Sequence, residues 1–101
     1  MLVKITRTEI RPSTDVQWCR AETFGSEYDE FKHTNDPNVL EHHVEISNDE
    51  LSRTVSFIVD NDWDRWQGLF GHEKHLRFVE LMKEHVLKNN IIINEVREQI
   101  D

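Results

Sequence analysis

The chain has 101 residues, of which 37% are hydrophobic and 32% charged, and a formal net charge of −8. That length holds one domain, residues 1–101, with a modest core that burial against a second copy would enlarge. An acidic chain repels phosphate backbones and anionic lipid, which sets aside nucleic acid and membranes as partners. The single cysteine, Cys19, rules out an intrachain disulfide, and no CxxC pattern occurs. The stretch MLVKITRTEIRP lacks the apolar core of a signal peptide, and no apolar run approaches the ~20 residues that span a bilayer. These features predict a cytosolic, cytoplasmic protein.

LVKITRTEI (2–10) alternates with period two, Val3 and Ile5 on one side and Thr6 and Thr8 on the other, and predicts a strand. Pro12 and Ser13 end it. In TDVQWCRAETFG (14–25), Trp18, Ala21 and Phe24 have helical spacing but Gly25 interrupts, so its structure stays open. SEYDEFKHTNDP (26–37) predicts a helix. Ser26 with Asp29 resembles a capping box, Tyr28 and Phe31 give an apolar edge, and Asn35-Asp36-Pro37 stops it.

LEHHVEI (40–46) alternates again, with Leu40, His42, Val44 and Ile46 on one face. SNDE (47–50) has turn chemistry, and LSRTVSFIV (51–59) follows with Leu51, Val55, Phe57 and Val59 on one face. The two strands predict a hairpin. DNDW (60–63) supplies a helix start. Trp63, Trp66 and Phe70 repeat at helical spacing, and Gly68 and Gly71 weaken the helix. Residues 72–90 resume it with Leu76, Val79, Met82 and Val86 as the apolar stripe, and Asn89-Asn90 cap its end. IIINEVREQI (91–100) predicts the last strand.

The order β-α-β-β-α-β is that of a ferredoxin-like α+β fold, a four-stranded antiparallel sheet with both helices on one face. Val3, Ile5, Leu40, His42, Val44, Ile46, Leu51, Val55, Phe57, Val59, Ile91 and Ile93 are expected under the helices. On the opposite face the two central strands present Thr6, Thr8, Ser52, Thr54, Ser56 and Ile58. Except for Lys4 this centre is largely uncharged, with Glu41 and Glu45 at the edge. A neutral centre with a charged rim predicts a homodimer packed sheet to sheet.

The layout of VSFIVDNDWDRWQGLFGHEKHLRFVELMKEH (55–85), within a chain of this length and element order, resembles the dimeric α+β-barrel superfamily. That group includes the antibiotic-biosynthesis-monooxygenase-like proteins. The resemblance covers nearly the whole chain in layout and implies a dimeric barrel. Its members include cofactor-independent monooxygenases, haem-degrading enzymes and isomerases. The haem-degrading members use a tryptophan and a histidine from this helical region and an asparagine on the first strand. Trp66 and His75 match the first two, but LVKITRTEI has no asparagine.

The residues expected around a small-molecule pocket between sheet and helices are His42, Trp66, His75, Trp63 and Trp18. His42 interrupts an apolar face, either as a proton donor or acceptor or as a core histidine bonded to a carbonyl. His72 and His75 have the spacing of metal-binding pairs but lack the HExxH pattern, and no metal or cofactor is assigned. Cys19 is not expected to act as a nucleophile, since no helix start is predicted beside it to lower its pKa. No Ser-His-Asp elbow, P-loop or dinucleotide fingerprint is present. Three readings follow: a small-molecule-binding or cofactor-free monooxygenase-like homodimer; an accessory or assembly protein acting through its sheet face; and a haem or metal binder.

Overall fold

Alternating residues on the first segment and on the hairpin form strands where expected. The computed structural model describes residues 2–32, 39–60 and 73–101. Strand β1 spans Leu2–Ile10, β2 Val39–Ile46, β3 Ser52–Asp60 and β4 Ile92–Gln99. Between β1 and β2 lie a single helical turn, α1 (Ala21–Phe24), and a 3-10 helix, Ser26–Phe31. Helix α2 spans Glu73–Lys88. The strands form one antiparallel sheet in the order β2-β3-β1-β4, with β1 and β3 central as predicted. This is the ferredoxin-like α+β arrangement.

The hairpin turn is held by the side chains its sequence supplies. Asp49 Oδ1 accepts from the Ser47 hydroxyl at 2.6 Å and from Leu51 N–H at 3.0 Å, while Ser47 Oγ accepts from Ser52 N–H at 3.0 Å. The Ser47 hydroxyl, then the Leu51 N–H, hold the Asp49 carboxyl below its ordinary pKa. At the end of α2, Asn90 takes a left-handed conformation (φ 55°), and Ile91 N–H donates back to Val86 C=O at 3.1 Å. That is a Schellman-type cap, with Ile91 buried beside it.

Three expectations are corrected. The segment after Gly25 is a 3-10 helix rather than an α-helix, and it begins from Gly25 (φ 118°) without a side-chain cap. Ser26 therefore does not act as its N-cap, and Lys32, in an extended conformation, ends it. The expected continuation through 33–37 and the helix start carrying Trp63, Trp66 and His72 lie outside the described residues. On α2 the buried residue is Phe78, flanked by Leu81 and Met82, whereas Leu76 is exposed. The helix is turned towards the rings of Phe24, Tyr28 and Phe31, because aromatic surface is the largest apolar area available there.

The third correction concerns the sheet face under the helices. Its apolar part is a cluster of Ile5, Val55, Phe57 and Val59. Strict alternation also sends Arg7, Glu9 and Arg53 to this side, with Arg7 opposite Val55 and Glu9 opposite Arg53. The inner face is therefore half apolar and half ionic.

Candidate functional site

A cavity of about 110 Å³ lies between this ionic half of the sheet and the helices. Its floor is Arg7, Arg53, Val55 and His42, from three adjacent strands. Phe31, Phe78 and Met82 roof it, and Cys19, Arg20 and Glu22 form a wall, with Lys32 at the end of the 3-10 helix.

Glu9 anchors this floor. It is 2% exposed, the most deeply buried large side chain among the described residues. Its Oε2 accepts from Cys19 N–H at 2.7 Å, tying β1 to the loop before α1. Its Oε1 stands 3.9 Å from Arg53 Nη1, an ion pair too long to be a hydrogen bond. The Arg53 side chain is only 13% exposed, and its Nε is buried with no hydrogen-bond partner. Burial pulls the Arg53 pKa down, against the opposing pull of Glu9.

The other cations around the cavity have carboxylates of their own. Arg7 donates to Glu95 Oε1 on β4 at 2.9 Å, and Arg97 donates to Glu95 Oε2 at 3.2 Å. Burial pushes the Glu95 carboxyl up, but the two arginines outweigh it and the net shift is downward. Lys32 Nζ lies 3.3 Å from Asp29 and 3.7 Å from Glu22, and Arg20 Nε lies 3.9 Å from Glu22.

Cys19 is buried against this cluster. Burial, then the Glu9 carboxylate, raise its pKa from 9.0 to about 11, with Arg7 and Arg53 pulling the other way. A thiol that stays protonated is a poor nucleophile. The native protein is expected to react with a thiol reagent at pH 8 at least ~10-fold more slowly than the urea-unfolded chain. Comparable rates would contradict the burial. Because the folded pKa is the higher one, Cys19 contributes stability that is complete below pH 9 and is lost as the pH rises towards 11.

The structure brings one of the sequence-selected pocket residues into the cavity lining. His42 is exposed at the edge strand, not enclosed as a core histidine, and its side chain lines the cavity. His75 is half-buried on α2, its ring edge-on to Phe31 with centroids 5.4 Å apart. Trp18 is buried but outside the lining. The Arg11 guanidinium lies 3.9 Å from its ring centroid, and its carbonyl accepts from Arg20 N–H and from the Thr23 hydroxyl. Trp63 and Trp66 lie outside the described residues. Among the described residues, no three His, Cys, Asp or Glu side chains gather as a metal would need.

Arg7, Glu9 and Arg53 are what the sequence reading missed. Each stands an even number of positions from an inward apolar residue, Ile5 or Val55, and that parity was the available signal.

On the opposite sheet face, Thr6 pairs with Ser56 and Thr8 with Thr54, all half-buried, and the two threonine hydroxyls lie 3.3 Å apart. Ile10, Ile92, Val96 and Ile100 extend this face with exposed apolar surface. Beside them runs an open groove of about 540 Å³ between Lys4, Glu41, His43, Ser56 and Ile58. No helix among the described residues is long and apolar enough to cross a membrane.

No protein-family model and no curated protein matches this chain. Solved structures do. SnoaB, a cofactor-independent oxygenase from Streptomyces nogalater, is similar over 99% of this chain and 93% of its own, with a TM-score of 0.59 and 10% identity. A candidate monooxygenase from Shewanella loihica PV-4 is similar over 99% of this chain and 94% of its own, with a TM-score of 0.51 and 14% identity. At such identities the likeness concerns architecture alone, and the chain shares the ferredoxin-like α+β fold of these two structures.

Proposed function

We propose that residues 1–101 form a single domain that pairs sheet to sheet with a second copy, and that the cavity under the helices is a small-molecule site of cofactor-free, monooxygenase-like character. The cavity carries this reading. It joins an aromatic roof to a cationic floor at a place where His42 can reach a ligand. Oxygenation without a cofactor draws its electrons from the substrate, which must be deprotonated and held as an anion. His42 is the candidate proton acceptor, and the arginines of the floor stabilise negative charge in a partly desolvated space.

Pairing is supported by the outer face's centre, uncharged except for Lys4, and by the apolar residues beside it. Native mass spectrometry of untagged protein is expected to give a dimer, and Thr54→Asp, which places two charges in the seam, a monomer with an unchanged circular dichroism spectrum. A wild-type monomer would overturn the pairing. Ring-bearing fragments are expected to shift the NMR methyl signals of Val55 and Met82. If no fragment moves them, the site is wrong, and the remaining reading is an accessory protein acting through its exposed outer face.

A further inference from the structure

We infer that the cavity takes a small aromatic carboxylate, its carboxylate seated on Arg53 and its ring between Val55 and the roof of Phe31 and Phe78. This rests on the proposed site and narrows it to one ligand class. Arg53 carries the inference. A guanidinium offers parallel N–H donors in a rigid fork, the complement of a planar carboxylate. Here the fork is nearly buried, and its Nε has no partner. Its nearby carboxylate, Glu9, is 3.9 Å away and already accepts from Cys19 N–H. Arg53 lines the cavity, and a buried donor without a partner costs free energy that the guanidinium recovers by turning towards an acceptor brought by a ligand.

The neighbouring charges restrict the anion. Arg7, Arg20 and Lys32 have carboxylates beside them, Glu95 (shared with Arg97), Glu22 and Asp29, whereas Arg53 has, among the described residues, only the long contact to Glu9. Glu22, on the wall, repels anions of higher charge. A monoanion therefore fits better than a phosphate. The apolar contacts favour an organic body, and the volume of about 110 Å³, below the roughly 150 Å³ of an apolar cavity that holds benzene, limits the enclosed part to a single ring.

The test is NMR titration of the full chain with benzoate, with neutral benzamide of the same shape and with inorganic phosphate. Benzoate is expected to shift the Arg53 Nε–H signal and to bind about tenfold or more tighter than benzamide, the worth of a charge-assisted pair. Arg53→Met should abolish that preference. Arg20→Gln, at the exposed wall, keeps the Glu9–Arg53 pair intact and should weaken benzoate by only a few-fold, the scale of a screened surface charge. If benzamide binds as well as benzoate and moves Val55 and Met82, the anion inference is overturned while the site stands. If phosphate matches benzoate, the carboxylate assignment is overturned in favour of an unselective anion site. If neither aromatic moves any cavity signal, both the inference and the site fall.

Discussion

Replacing Glu9 by alanine is expected to destabilise the protein by about 3–5 kcal/mol, the range for removing one partner of a buried ion pair. Two groups are stranded at once. The Cys19 N–H loses its 2.7 Å acceptor, and Arg53 keeps a buried positive charge with its nearby carboxylate gone. Chemical denaturation should show a lower urea midpoint with an unchanged slope, because the surface exposed on unfolding hardly changes. Glu9→Gln retains an acceptor for Cys19 and loses only the charge, so its cost should be clearly smaller. Glu9→Leu combined with Arg53→Met should be less destabilising than the sum of the single changes by at least ~1 kcal/mol, since each removes the other's penalty. Additive losses would mean that the pair is not coupled and that Glu9 acts through Cys19 alone.

Phe78→Ala is the second large effect, with an expected cost of about 3–5 kcal/mol. The Phe78 ring is the one inward, buried side chain of α2 among the described residues. It stacks on Phe31 with centroids 5.0 Å apart, tilts against Tyr28 at 5.5 Å and meets Phe24 edge-on at 5.9 Å. Truncation removes the most buried of the contacts that join α2 to α1 and the 3-10 helix, and it opens the cavity roof. For a domain of this size, 3 kcal/mol corresponds to a fall in Tm of roughly 12 °C or more. Phe78→Leu, which keeps most of the volume, should recover more than half of the loss. A fall of only a few degrees for Phe78→Ala would show that α2 is held by something other than this cluster.

The strands were legible because their physics is local. Period-two alternation in residues 2–10, 40–46 and 51–59, with Ser47 and Asp49 between the last two, sufficed to predict β1 and the hairpin. The element order then predicted the sheet. The left-handed cap at Asn90 was also legible, since asparagine tolerates that conformation. The 3-10 helix was not, because Gly25 fixes the start of the segment through a backbone angle that the pattern of side chains does not carry. The stripe on α2 was misread because Leu76 and Phe78 are both apolar, and only the three-dimensional neighbours, Phe24, Tyr28 and Phe31, decide which is covered. The cationic floor was missed for a related reason. A charge at an inward position is favourable only if a partner from another strand meets it, and the partners of Arg7 and Glu9 lie on β4 and β3.

That half-ionic face has a consequence for how the strands find their alignment. Apolar residues alone do not distinguish the native pairing of β1 with β3 from one slid by two positions. Ile5 would then face Val59 or Val55 instead of Phe57, and every one of these contacts is apolar. The charges do distinguish them. Slid one way, Glu9 would face Val55 and Arg7 would face Phe57; slid the other way, Arg7 would face Arg53. On the β4 side the same shifts would set Arg7 against Ile93 or against Arg97 instead of Glu95. Each slipped sheet would bury an unmatched or repelling charge, so the ionic residues serve as alignment marks that the interchangeable aliphatic rows cannot provide.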